Sequence, residues 1–213
     1  QSLSNGSGIR ANTMAPAASE YTTKELTKTT LADFEKLFER RPAPGAFICW
    51  CMYHHRDRQS AADERRRSRV TQAARNRQQK RELVERDRSH GILVYSNGEP
   101  VGWCQYGYVH ELPRFDANRD NRRLPQDVGE PPVWRITCFT VDQRHRGRGV
   151  AGIALKAATE AIRKRGGGIV EAYPTVRRGA YREYLGTISM FQKAGFEVVA
   201  PFGKNNVVMR RTI

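Results

Sequence analysis

Residues 91–109 read GILVYSNGEPVGWCQYGYV. Two runs rich in β-branched and aromatic residues flank Asn97-Gly98, the pair that most favours a two-residue turn because both positions take positive φ. Such a hairpin commits the chain to antiparallel pairing, and the remaining segments must extend and cover that sheet. Downstream, VWRITCFTV supplies a strand over Trp134–Val141, and VAGIALKAATEAI predicts a helix from about Gly149 to Lys164. Arg163, Lys164 and Arg165 suit the negative end of that helix, and Gly166–Gly168 end it. GIVEAY reads as a strand, TISMFQKAG as a helix, and FEVVA with NNVVM as a last hairpin. Antiparallel strands followed by a strand–helix–strand unit predict an α/β fold, with a mixed, mostly antiparallel central sheet and flanking helices.

The segment before Met14 is small, polar and without period, so residues 1–14 are expected to be a disordered end or a cloning remnant, with residues 15–213 forming one domain. YTTKEL is a weak strand. TLADFEKLFER places Leu31, Phe34, Leu37 and Phe38 on one helical face, with Thr30 and Asp33 as a capping box and Pro42 as a stop. GAFICWCMYHH reads as a buried extended run. Residues 56–88 carry 12 Lys or Arg, 6 Asp or Glu and no aromatic residue, the pattern of one or two solvated polar helices. Residues 111–132, rich in Pro, Asp, Asn and Arg, form a long connection of the kind that often carries function.

A net charge of +15 admits a polyanionic partner such as nucleic acid or a phosphate-bearing ligand, although 29 Arg against 8 Lys is also what biased codon usage produces. The basic segment lacks the aromatics that stack on bases, so a nucleic-acid partner is not expected. No run is apolar enough to span a bilayer and none resembles a signal peptide, which points to a cytoplasmic protein without a membrane partner, monomeric or homodimeric. Cys49, Cys51, Cys104 and Cys138 sit among apolar and aromatic residues, as buried free thiols do. Cys49-x-Cys51 followed by His54 and His55 has no second pair at zinc-like spacing, so no metal is expected.

RHRGRGVAG, residues 144–152, lies between the strand and the helix. A helix start leaves backbone N–H groups without partners and carries partial positive charge, and glycines let backbone approach a ligand closely. Arginines can then reach outer phosphates. The alternative is a glycine turn with solvent-facing arginines. The loop lacks the Walker pattern, and Gly147, Gly149 and Gly152 match the dinucleotide spacing only by letter, because the preceding strands are hairpin-connected.

Arg144-x-x-Gly147-x-Gly149 after a strand ending in Val141 resembles the acyl-CoA-binding signature of the GNAT family of N-acetyltransferases. The similarity runs through residues 91–210 and includes MFQKAGFEVV, which is similar to the family's second signature. CWCMYH, GWCQYG, VWRITCFTV and VEAYP further resemble a bacterial subgroup of that family. The resemblance implies a GNAT-like acyl-CoA N-acyltransferase fold whose sheet splays after Trp134–Val141. It also implies acetyl-CoA as co-substrate: Phe139, Thr140 and Val141 along the pantetheine arm, and Arg144, His145, Arg146, Gly147, Arg148, Gly149, Val150 and Ala151 around the pyrophosphate. The implied reaction is direct acetyl transfer to a primary amine, of a small molecule in the first instance.

That chemistry needs a neutral amine and a proton for the leaving thiolate. Many relatives keep a tyrosine four residues before the Gly of Gly-Phe; here that position is Phe191, which the resemblance places with the acyl-CoA-binding residues instead. Tyr184 would share its helical face if the helix began that early, a condition Gly186 weakens. Glu171, on the strand bordering the split, is the leading base, with Tyr173, His110, Glu111 and ordered water as alternatives, while Cys138 reads as core. Two competing readings are a basic nucleic-acid-binding module centred on residues 56–88 and an acetyltransferase-like domain that binds CoA without catalysis.

Overall fold

The computed structural model describes residues 21–40, 46–56, 69–116, 133–176 and 183–213. The expected disordered end, residues 57–68 of the basic segment and residues 117–132 of the long connection lie outside them. The first strand is β1 (Tyr21–Glu25), followed by helix α1 (Leu31–Glu39), a single turn α2 (Ala46–Cys49) and a long helix α3 (Arg69–Glu85). Then come β2 (His90–Ser96), β3 (Glu99–Tyr108), β4 (Trp134–Val141), α4 (Val150–Lys164), β5 (Ile169–Ala172), α5 (Ile188–Lys193), β6 (Glu197–Phe202) and β7 (Asn206–Thr212).

The strands form one seven-stranded sheet in the order β1-β2-β3-β4-β5-β7-β6. Among the described strands only β4 and β5 pair in parallel, joined by α4 as the crossover. The central hairpin closes where the sequence places it: Ser96 pairs with Glu99, and Asn97 and Gly98 take φ of 50° and 78°. Because helices cover both faces, β2 is buried along its whole length rather than alternately.

The two faces are packed differently. On one, Val150, Ala154, Leu155, Ala158, Ala161 and Ile162 of α4 form a stripe against Ile92, Val94, Tyr106, Trp134 and Ile136. On the other, Phe34, Leu37 and Phe38 of α1 join Trp50, Leu93, Tyr95 and Trp103. There Phe34 meets Trp103 edge-on at 4.8 Å, and Phe38 stacks on Trp50 at 5.8 Å.

Three local expectations are corrected on that second face. GAFICWCMYHH is not extended: α2 is followed by Trp50 and Cys51 with φ of 49° and 50°, then by a 3-10 turn at Tyr53–His55. Two consecutive left-handed residues reverse the chain, which no apolar periodicity signals. Thr30 and Asp33 do not form a capping box. The Thr30 hydroxyl donates to the Glu25 carbonyl (2.7 Å), and Asp33 accepts from the Tyr95 hydroxyl (2.8 Å). Nor is α3 simply solvated. Gln72, Asn76, Lys80 and Val84, four residues apart, are buried along one side. Arg77 and Arg81 reach across to Glu35 of α1 at 2.7 and 2.5 Å. Burial alone would raise the Glu35 carboxyl, but hydrogen bonds from Arg81 and Arg77 outweigh it and hold its pKa at about 2.

Candidate active site

β4 pairs with β5 through only three residues, Trp134–Val170, Arg135–Glu171 and Ile136–Ala172. Past Ala172 the chain leaves β4 and stays with β7. The Asn206 amide donates to the Tyr173 carbonyl (2.9 Å), Val207 N–H to the Pro174 carbonyl (3.1 Å), and Thr175 bridges Asn206. On its other edge β4 remains paired with β3 through Val141. The sheet therefore opens beside Thr137–Val141, and a cavity of 1670 Å³ lies in the opening.

One end of the cavity is the loop between β4 and α4. Asp142 begins it, accepting from Arg144 N–H at 3.0 Å. His145 N–H donates to the Asp142 carbonyl at 2.9 Å. These bonds consume the first amides of the loop internally. Gly147 and Gly149 then take φ of 73° and 80°, a conformation that costs any other residue about 1–2 kcal/mol. A side chain at either glycine would point into open space, so what the glycines supply is backbone conformation. They turn the chain into α4, whose first N–H groups have no partner within the helix. Among the described residues, Arg146, Lys156, Arg163, Lys193 and Arg211 line the cavity against one carboxylate, Glu160, which pairs with Arg163 at 2.8 Å. The geometry and charge suit a polyphosphate.

Of the residues assigned to acyl-CoA from sequence, Phe139, Thr140, Val141, His145, Arg146, Gly147, Gly149, Val150 and Ala151 line the cavity. Arg144, Arg148 and Phe191 do not. The Arg144 guanidinium turns back onto Asp142 at 3.2 Å. Phe191 is fully buried behind the wall, edge-on to Phe139 at 5.9 Å.

The three residues assigned to the chemistry separate. Tyr184 lines the cavity, but from a 3-10 turn, Glu183–Leu185, and not from the helix of Phe191. Gly186, with φ of 81°, stands between the two, so the shared helical face is corrected. Glu171 and Tyr173 are buried outside the lining. Glu171 accepts from Arg210 Nε at 2.8 Å, with Arg210 Nη2 also at 2.8 Å, and from the Tyr173 hydroxyl, which in turn accepts from Arg135 Nε at 3.1 Å. Burial pushes the Tyr173 hydroxyl well up. His110 is exposed, and Glu111 is buried under the Tyr108 amide; neither lines the cavity.

Sequence reasoning missed the opposite wall, built by Cys49, Cys51, Tyr53, His54 and Cys138. His54 stacks on Phe115 at 4.6 Å, and neither of its ring nitrogens has a hydrogen-bond partner. Burial, with Arg114 and Arg135 nearby, lowers its pKa to about 3 and keeps it neutral. The C-x-C…His-His run was the available signal. Among the described residues, however, no three His, Cys, Asp or Glu side chains are arranged to hold a metal, and no helix is long and apolar enough to cross a membrane.

Similarity to known proteins follows the same outline. No curated protein matches the sequence. A structure of the PaiA N-acetyltransferase from Thermoplasma acidophilum in complex with coenzyme A superposes with a TM-score of 0.53 at 10% identity, covering 91% of this chain and 99% of that one. A GNAT-family protein from Desulfovibrio desulfuricans gives 0.50 at 12%, covering 90% and 98%. An acetyltransferase from Thermus thermophilus gives 0.50 at 15%, covering 91% and 97%. The family model described as the acetyltransferase (GNAT) family matches residues 50–196. The chain, with its sheet split beside β4 and its glycine loop at the start of α4, belongs to the GNAT acetyltransferase family.

Proposed function

We propose that the protein transfers acetyl from acetyl-CoA to a primary amine of a small-molecule acceptor, by direct attack of the amine on the thioester. The observation that carries this reading is the cavity itself, with a cationic amide-lined loop at one end and the open edge of β4 leading from it to Cys138 and Tyr184. Amides of Gly147–Ala151 would face the pyrophosphate, and backbone of Phe139–Val141 would pair with the pantetheine arm. The acyl group would then lie near Cys138.

Tyr184 is the proton donor to the departing thiolate in this reading, because among Glu171, Tyr173 and Tyr184 it alone lines the cavity. Glu171 and Tyr173 act as positioning residues. Their bonds to Arg210 and Arg135 fix the end of β5 at the point where the sheet opens. Water in the open cavity then takes the amine proton. The protein's part is orientation and electrostatic stabilisation rather than covalent chemistry.

The test begins with melting temperature against acetyl-CoA, since a ligand selective for the folded state raises it by mass action. It continues with a panel of amines, following release of the CoA thiol. Absence of any shift at millimolar acetyl-CoA would remove the reading. With an acceptor in hand, Tyr184→Phe should lower kcat about 100-fold, whereas Glu171→Gln should keep the wild-type shape of its pH–rate profile.

A further inference from the structure

Cys51 and Cys138 are 87 residues apart in sequence, yet their sulfurs lie 3.3 Å from each other. Both are reduced and both line the cavity. The pairing is built from two unusual pieces of backbone. Cys51 projects from the left-handed turn after α2, and Cys138 from β4 just past Ile136, where pairing with β5 has ended. Cys104, by contrast, lies in the core of the other face and its thiol turns to the Gln105 carbonyl at 3.9 Å.

The Cys51 sulfur has polar neighbours. The Trp103 indole N–H donates to Cys51 Sγ at 3.1 Å. The Lys80 ammonium, 5.8 Å from the centroid of the Trp103 ring and bonded to Ser89 at 2.8 Å, is a buried cation on the same side. It works against the burial that pushes the Cys51 thiol up. Cys138 is the half-exposed member of the pair and Cys51 the buried one, which sets the order of events.

We propose that Cys51 and Cys138 form a dithiol modification site at the acyl end of the cavity, oxidised reversibly to a disulfide by a hydroperoxide. The Cys138 thiolate attacks the terminal peroxide oxygen. A sulfur–oxygen bond forms, the oxygen–oxygen bond breaks and an alcohol (water, for hydrogen peroxide) leaves with one thiol proton. The Cys51 sulfur then attacks Cys138 Sγ. The disulfide forms, the sulfur–oxygen bond breaks and water leaves with the second proton. Two electrons pass from the thiols to the peroxide. Closing 3.3 Å to a bond of about 2.05 Å draws the Cys51 turn, with Tyr53 and His54, toward β4 beside Phe139. Acetyl-CoA is thereby excluded from the acyl end; this consequence rests on the acetyltransferase reading, whereas the modification itself does not.

The experiment treats the reduced full-length protein with a small excess of tert-butyl hydroperoxide, then measures intact mass, maps peptides and titrates acetyl-CoA. The expected result is a loss of about 2 Da, a Cys51–Cys138 cross-link, an acetyl-CoA affinity weakened about tenfold or more, and recovery with dithiothreitol. C51S and C138S should escape the cross-link, and peroxide should not change whatever acetyl-CoA affinity each has when reduced, while C104S should respond as wild type does. The wild-type measurement needs no variant, so a variant that misfolds leaves it intact. Either no mass loss or a cross-linked protein that binds acetyl-CoA as tightly as before overturns the proposal. A cross-link in a protein whose reduced form ignores acetyl-CoA upholds the dithiol site and sinks the acetyltransferase reading.

Discussion

The two faces of the sheet are held by different kinds of contact. The α4 face is aliphatic, with alanines and branched side chains at helical spacing laid against β2, β3 and β4. The α1–α3 face is aromatic at its centre and ionic at its rim. It has Trp103 and Phe34 in edge contact, Lys80 buried above both rings, and Glu35 clasped by Arg77 and Arg81. The first kind of contact depends little on charge, because the α4 stripe is made of uncharged aliphatic side chains. The second depends on the protonation of a few groups and on partners far away in sequence. Both meet the cavity, one through Val150 and the phosphate-side loop, the other through Cys51 and His54.

The strongest way to break the comparison is to remove the centre of the aromatic face. Trp103→Ala, at a fully buried position, should cost about 3–5 kcal/mol in chemical denaturation. A loss below about 1 kcal/mol would mean that the rings there are not the core of that face. On the other side, Gly147→Asp adds negative charge and a left-handed non-glycine residue to the loop without a clash. It should weaken acetyl-CoA binding by more than tenfold while costing only about 1–2 kcal/mol of stability. Unchanged affinity by calorimetry would take the loop out of phosphate binding. The control for that measurement is Arg75→Glu, at an exposed position of α3 outside the cavity lining, which should leave acetyl-CoA affinity unchanged.

Glu35→Gln should cost about 1 kcal/mol at pH 7. The sign follows from its pKa, which is about 2 when folded against an ordinary 4.5. The carboxylate's contribution is present above pH 4.5 and is lost as pH falls toward 2, so wild type and variant should converge in acid. Parallel curves down to pH 2 would dismiss the ion pair. The last effect is read as a slope and concerns Lys80, whose pKa burial lowers from 10.5 to about 8. Between those values the unfolded chain binds the extra proton, so stability should rise with pH there, by at most about 1.4 kcal/mol per pH unit. Lys80→Met should flatten that rise. An equally steep rise in the variant would assign it to another group.

Much of the frame was written locally. Asn97-Gly98 carries its own turn geometry, the α4 stripe its own period, and Gly147 and Gly149 their own φ, so the hairpin, the helix and the loop were legible in short windows. Nine of the twelve residues assigned to acyl-CoA line the cavity. What the windows could not show was any property that depends on the partner. Whether Arg77 and Arg81 face solvent or Glu35 is decided 42 and 46 residues away. Whether Glu171 is available to a ligand or bound to Arg210 is decided 39 residues away. The left-handed turn at Trp50 and Cys51 hides in a run that reads as a strand, and it brings Cys51 to Cys138 across 87 residues. Backbone preference and periodicity act over a turn or two of chain, and the sequence by itself determined what they govern here. Burial and pairing of polar and thiol groups depend on which distant surfaces the sheet brings into contact, and those were decided only when β4 and β5 parted and both faces closed.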